Sequence, residues 1–120
     1  MVVVDILLAT VCFTFTPGGT EECHPVLVGG DTPRGEFVMN KRVTESAGYG
    51  GDVLQFRDDP DGVYAIHRVY LLNPKEKRAE RLRSPDPKQR RITRGCVNVD
   101  PAVYDRLMSC CSRNQALLIK

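Results

Sequence analysis

The sequence predicts a mainly β domain with a short helix or two, and three observations predict it. Short β-branched and aromatic runs recur along the chain, each bounded by Gly, Pro or Asp clusters. They do not alternate with long helical stretches, as βαβ units would require. Only one segment, Asp100 followed by Pro101, carries a strong helix-start signal. The 120 residues, 42% hydrophobic and 27% charged with no Trp, suit one soluble domain over residues 1–120. A chain of this mass buries about two-thirds of its unfolded surface, so a core forms without staples.

The elements follow in chain order. The apolar run Val2–Phe13 reads as a strand that ends at Thr16-Pro17-Gly18-Gly19, with Thr20–Val28 returning as the second arm of a hairpin. If Phe15 faces Thr20 across that loop, Cys12 stands directly opposite Cys23, where Cα atoms about 4.5–5.5 Å apart admit a disulfide. A bonded pair and two reduced, half-buried thiols both satisfy this register. The turn cluster Gly29–Gly35 precedes a strand over Glu36–Lys41, and Gly48-Tyr49-Gly50-Gly51 opens another over Asp52–Phe56. Val53, Leu54 and Phe56 are core candidates. Asp58, Asp59 and Asp61 flank Pro60 without a later bidentate Glu, so they read as a turn and not a calcium loop. Val63–Tyr70 reads as a buried strand.

Pro74, Pro85 and Pro87 confine the next stretch to a short helix over Lys75–Leu82. A clearer helix spans Pro101–Ser112, with Val103, Leu107, Cys110 and Cys111 on one face, and Ala116–Lys120 reads as a final strand. The formal charge is only +2, yet residues 75–94 carry nine basic side chains against three acidic ones. A basic segment therefore sits on a mildly acidic body. No targeting segment is read in the chain: the apolar start lacks a basic flank, is interrupted by Asp5 and is too short to span a bilayer.

Five cysteines leave at least one thiol unpaired in a monomer, and the absence of any C-x-x-C spacing, with His24 and His67 43 residues apart, argues against a structural zinc site. Neither a metal nor a cofactor is expected. Cys96 lies in Arg91-Ile92-Thr93-Arg94-Gly95-Cys96-Val97-Asn98-Val99, where Arg91 and Arg94 favour a thiolate and Gly95 leaves room for a substrate carbonyl. Taken alone, such a cysteine is more often a small hydrophobe in a strand. Strand alternation puts His67 on one face with Val63, Ala65 and Val69, where a neutral imidazole needs a hydrogen-bond partner. Alone it reads as a core histidine; together, a distant cysteine and histidine are the arrangement thiol acyl transfer uses.

These motifs resemble the catalytic domain of the L,D-transpeptidase (YkuD-like) family, whose signature is a histidine strand followed by Ser/Thr-His-Gly-Cys-x-Asn/Arg. The histidine strand is Ala65-Ile66-His67, and the cysteine motif is Thr93-Arg94-Gly95-Cys96-Val97-Asn98. Val26-Leu27-Val28-Gly29 and Thr32-Pro33-Arg34-Gly35-Glu36-Phe37 are similar to the family's upstream elements, and the order holds over essentially the whole chain. Arg94 stands where the motif usually has histidine. The 28 residues between His67 and Cys96 exceed the family's shorter common spacing, which makes 75–94 a lengthened lid beside the site.

The resemblance implies a β-sandwich or barrel and a cysteine-dependent acyl transfer on peptidoglycan stem peptides in the periplasm or cell envelope. Cys96 would be the nucleophile and His67 the general base and acid, with backbone N–H groups at Gly95 and Cys96 as oxyanion donors. Thr93 and Asn98 would support the cysteine loop. Arg68, Arg91 or Arg94 would pair with stem-peptide carboxylates. The acyl group would pass to an amine, giving a cross-link, or to water, giving carboxypeptidase activity. The expected state is a monomer without nucleic-acid or membrane-spanning partners. A basic nucleic-acid-binding module is the weaker reading, because residues 71–102 hold no aromatic side chain for base stacking. A non-catalytic peptidoglycan-binding domain is the other alternative.

Overall fold

The computed structural model describes every residue except Ala47 and Asp61, so the expected turn at Asp61 lies outside the described residues. Eight strands follow one another as β1 (Val2–Asp5), β2 (Thr10–Thr14), β3 (Glu21–Pro25), β4 (Gly35–Val43), β5 (Asp52–Asp59), β6 (Gly62–Arg68), β7 (Val97–Val99) and β8 (Gln115–Ile119). Helix α1 (Arg78–Leu82) falls between β6 and β7, and α2 (Pro101–Cys111) between β7 and β8. The strand order is β3-β2-β1-β8-β4-β5-β6-β7. Pairing is antiparallel except at β1/β8 and β6/β7. Leu27, just beyond β3, pairs with Asn98 of β7 and brings the two sheet edges together. The result is a nearly closed, mixed eight-stranded barrel with two short helices, in the mainly β class the sequence predicts.

Alternation along the strands fills its interior. Val2, Val4, Val11, Phe13, Leu54, Ile66, Val97, Val99, Leu117 and Ile119 point into one core. Helix α2 joins that core through Val103, Tyr104 and Leu107. Asp100 Oδ1 accepts the Ala102 N–H at 2.8 Å, and Pro101 occupies a first-turn position where no intrahelical donor is needed. Arg106 grips Glu22 of β3 through Nε and Nη2, tying α2 to the hairpin.

The apolar start divides where a single strand is expected. Asp5 Oδ1 accepts the Leu8 N–H at 3.0 Å and Ala9 adopts φ 50°, so β1 turns back into β2 and leaves Leu7 and Leu8 exposed. A short acidic side chain competing for backbone N–H groups starts the turn, and unbroken apolarity hides it. The β2/β3 register places Cys12 against Cys23 as expected, with Cα atoms 4.1 Å apart and the sulfurs bonded. Cys110 and Cys111 are bonded to each other at the end of α2, and Cys96 is free. Asp58 and Asp59 belong to β5, where Asp59 pairs with Arg57.

The expected helix over Lys75–Leu82 is a 3-10 turn (Pro74–Glu76) followed by α1, because Lys77 between them is left-handed at φ 52°. Part of the surrounding basic segment is tied down, whereas Lys75, Lys77, Arg83, Lys88 and Arg94 are exposed. Arg90 is buried and donates to the carbonyls of Ala9, Leu8 and Ser84. Arg91 reaches Leu7 O at 2.8 Å, and Arg81 reaches Glu76 O at 3.1 Å. Guanidinium groups, which only donate, here satisfy turn carbonyls of β1–β2 and of the segment itself. Arg91, expected beside a substrate carboxylate, instead pins the lid to the β1–β2 turn.

Candidate active site

Parallel pairing of β6 with β7 sets Ile66 beside Val97 and His67 beside Asn98. Cys96 immediately precedes β7, so side chains at 96 and 98 share the face that Ala65 and His67 present from β6. That face opens on a cleft of about 500 Å³ whose wall includes Cys96, His67, Tyr49, Tyr70, Arg78 and Arg94. A neighbouring cavity of about 450 Å³ also reaches Cys96 and His67.

His67 is 3% exposed. Its Nδ1 lies 2.6 Å from Arg68 O, its Nε2 lies 3.3 Å from Asn98 Nδ2, and the Tyr49 ring packs against it with centroids 4.5 Å apart. Burial pushes the imidazole down to about 4, with the positive charge of Arg78 acting in the same direction and the Arg68 carbonyl opposing. Burial also raises the Cys96 thiol, against lowering contributions from the Ala65 backbone and Arg78. At neutral pH the pair is therefore a thiol beside a neutral imidazole. The Cys96 Sγ contact runs to Val63 O at 3.7 Å.

The imidazole has a consequence for stability. Between the ordinary histidine value of 6.5 and about 4, the unfolded chain binds a proton that the folded chain refuses. Stability is then full above that window and falls as pH drops through it, by about 3 kcal/mol from this group. Urea unfolding at pH 7 and pH 4 measures the loss, and His67→Gln is expected to remove most of the difference.

The cysteine loop is shaped by close approaches. Gly95 has φ +133°, and a Cβ there would stand 2.3 Å from the Tyr64 ring. Thr93 Oγ1 donates to Cys96 O at 2.6 Å and accepts the Gly95 N–H at 3.3 Å. The Gly95 N–H is thus engaged by the Thr93 hydroxyl. Behind the loop, a Cβ on Gly29 would meet Thr93 O at 1.9 Å, while Thr32 Oγ1 accepts the Gly29 N–H. The glycine and threonine of the two upstream motifs therefore seat the cysteine loop. Gly95→Ala combines disfavoured dihedrals with a clash on an aromatic ring. It is expected to destabilise by at least about 2 kcal/mol in urea unfolding.

Among the other residues singled out from sequence, Asn98 is fully buried beside His67, and Arg94 is exposed on the cleft rim. Arg68 is not brought to the cleft. Its guanidinium turns to the opposite face of β6, where it meets Asp52 Oδ1 and Tyr49 O at 3.0 Å each and lies 4.1 Å from the Tyr104 ring centroid. Alternation alone places residue 68 opposite residue 67.

Two residues escape the sequence reading. Tyr49, in the glycine cluster, is held over His67 because its carbonyl takes Arg68 and a Cβ on Gly50 would meet that same arginine at 2.7 Å. Arg78 of α1 is half-buried, donating to Asn98 Oδ1 at 2.8 Å and to Glu76 at 3.0 Å, over the Tyr70 ring. A glycine-bracketed tyrosine is a signal that was available; one arginine among nine basic residues is not.

No model of a known protein family matches the chain, and no curated protein matches it. Solved structures do. L,D-transpeptidase 3 from Mycobacterium tuberculosis superposes with a TM-score of 0.68 at 12% identity over 99% of this chain and 60% of its own. An L,D-transpeptidase from Mycobacterium smegmatis gives 0.63 at 19% identity over 99% and 57%. A cysteine-to-serine mutant of the Enterococcus faecium L,D-transpeptidase gives 0.66 at 18% identity over 99% and 48%. The chain thus spans about half the length of the structures it matches. With the barrel topology described above, these similarities establish that the chain has the fold of L,D-transpeptidase catalytic domains.

Proposed function

We propose that the chain is a cysteine-dependent L,D-transpeptidase domain acting on peptidoglycan stem peptides. The observation that carries the reading is that Cys96 and His67, with 28 residues between them in sequence, line one cleft through the register of β6 and β7. In this reading Cys96 Sγ attacks the carbonyl on the L-centre of meso-diaminopimelate while its proton passes to the His67 imidazole. The carbonyl oxygen becomes an oxyanion held by Cys96 N–H. Collapse breaks the C–N bond to D-alanine, whose amine leaves with the proton from the imidazolium. An acceptor amine or water then releases the acyl group from the thioester, the imidazole again taking and returning the proton. Thr93 braces the loop, Asn98 holds the imidazole, and Arg94 is placed to meet a carboxylate of the stem peptide. The Cys12–Cys23 bond suits an oxidising compartment, the periplasm or cell envelope.

A non-catalytic peptidoglycan-binding domain is the second reading, favoured by one feature. The thiol faces Val63 O, and both imidazole nitrogens have other partners. Among the matched structures are an L,D-transpeptidase in complex with imipenem and one carrying a faropenem-derived adduct. Intact-mass spectrometry after incubation with imipenem separates the readings. One covalent adduct per chain is expected, and a folded protein with unchanged mass overturns the proposal.

A further inference from the structure

We propose that Arg78, on the lid helix α1, is a positioning residue that fixes the tautomer of His67 through the side chain of Asn98. The inference rests on the reading of His67 as the general base. It follows from which atoms donate and which accept. A guanidinium only donates, so the Asn98 atom 2.8 Å from Arg78 Nη1 is the carbonyl oxygen, Oδ1. The Tyr70 N–H, 3.5 Å from the same oxygen, agrees. The amide nitrogen of Asn98 therefore faces His67 Nε2 at 3.3 Å, and an amide nitrogen also only donates. Nε2 must then be the unprotonated, accepting nitrogen. The ring proton sits on Nδ1, and its partner at 2.6 Å, Arg68 O, is a carbonyl that only accepts. The Arg68 carbonyl, the Asn98 amide and the Arg78 guanidinium thus agree on one tautomer, and Arg78 sets which end of the amide meets the ring.

Without the guanidinium, only the long Tyr70 N–H contact holds Oδ1 away from the ring, and a half-turn of the Asn98 amide would offer Oδ1 to Nε2 and draw the proton there against the pull of the Arg68 carbonyl on Nδ1. Arg78 also places a fixed positive charge at the end of the line, partly offset by Glu76 at 3.0 Å. That charge opposes an imidazolium and favours a thiolate. The other titratable or charged groups around the ring are Cys96 ahead of β7, Tyr49 from the glycine cluster, Tyr70 beyond β6 and Arg94 on the rim. The basic lid thereby contributes one specific side chain to the chemistry, while Arg81, Arg90 and Arg91 anchor it.

The test uses the full chain, uniformly labelled with ¹⁵N, with the ring signals of His67 assigned by their loss in His67→Gln. In the wild type, between pH 6 and 8, Nδ1 is expected at the shift of a protonated ring nitrogen and Nε2 at that of an unprotonated one. In Arg78→Met the tautomer ratio is expected to move toward Nε2–H by tenfold or more, with imipenem acylation slowed by about 10–100-fold. Arg78→Lys, whose ammonium still donates to Oδ1, should keep the wild-type tautomer. A wild type with the proton on Nε2 overturns the proposal whatever the variants do, and so does a folded Arg78→Met protein with an unchanged ratio. Wild type that fails to acylate while showing the expected tautomer defeats the enzyme reading and leaves the hydrogen-bond relay standing.

Discussion

Replacing Cys96 with alanine is expected to abolish the imipenem adduct completely, with no residual slow phase. Cys96 is the free cysteine among the described residues, because Cys12 is bonded to Cys23 and Cys110 to Cys111, so no second thiol competes for the acyl group. The substitution leaves the fold intact: the partly exposed side chain meets only the backbone at Val63 O and Ala65 through its sulfur, and alanine keeps the backbone N–H and the carbonyl that Thr93 grips. Intact-mass spectrometry of the variant beside the wild type reads the result directly. An adduct of equal yield in the alanine protein would remove Cys96 from the role of nucleophile and require another acylated side chain.

The second large effect is expected at His67. His67→Gln should slow acylation by about 10²–10⁴-fold, the usual worth of a positioned general base. The reason lies in the protonation states. Burial holds the thiol above its ordinary value and the imidazole well below its own, so the site starts as a neutral pair and the proton must move during attack. Glutamine fills the space and still meets Asn98, but it cannot take that proton. Raising the pH should rescue the variant in proportion to the thiolate formed, whereas the wild type should vary much less between pH 6 and 8. Stopped acylation time courses across that range check both statements. Equal rates for the two proteins at neutral pH would show that the imidazole takes no part.

Much of the fold is legible in the chain because it depends on short-range patterns. The alternation in Val63–His67, the cap at Asp100 and the turn at Pro17-Gly18-Gly19 are read within a few residues, and each appears where the sequence places it. The opposition of Cys12 and Cys23 follows from counting along one hairpin. The boundary between β1 and β2 is hidden for the same reason: a continuous apolar run gives no period, and the turn rests on the single Asp5–Leu8 hydrogen bond. The broken helix at Lys77 is a backbone event with no side-chain signature, since lysine rarely adopts φ 52°.

The candidate site divides along the same line. Sequence by itself made Cys96 and His67 candidates, and it was the resemblance to the L,D-transpeptidase signature that set them, with the glycine beside the cysteine, above the reading as a core cysteine and a core histidine. Only the tertiary structure decided what the arginines do. Arg68 is held by Asp52 and Tyr104 behind the strand, Arg90 and Arg91 hold the β1–β2 turn, and Arg78 reaches Asn98 across 20 residues of chain. A guanidinium looks the same in sequence whether it faces water, a carbonyl or a catalytic neighbour. Its role is set by which acceptors the barrel brings within about 3 Å, and those come from strands and turns distant along the chain. Gly95 shows the converse: its presence is plain in the motif, but the reason for it, the Tyr64 ring of the adjacent strand, exists only once β6 and the cysteine loop are packed together.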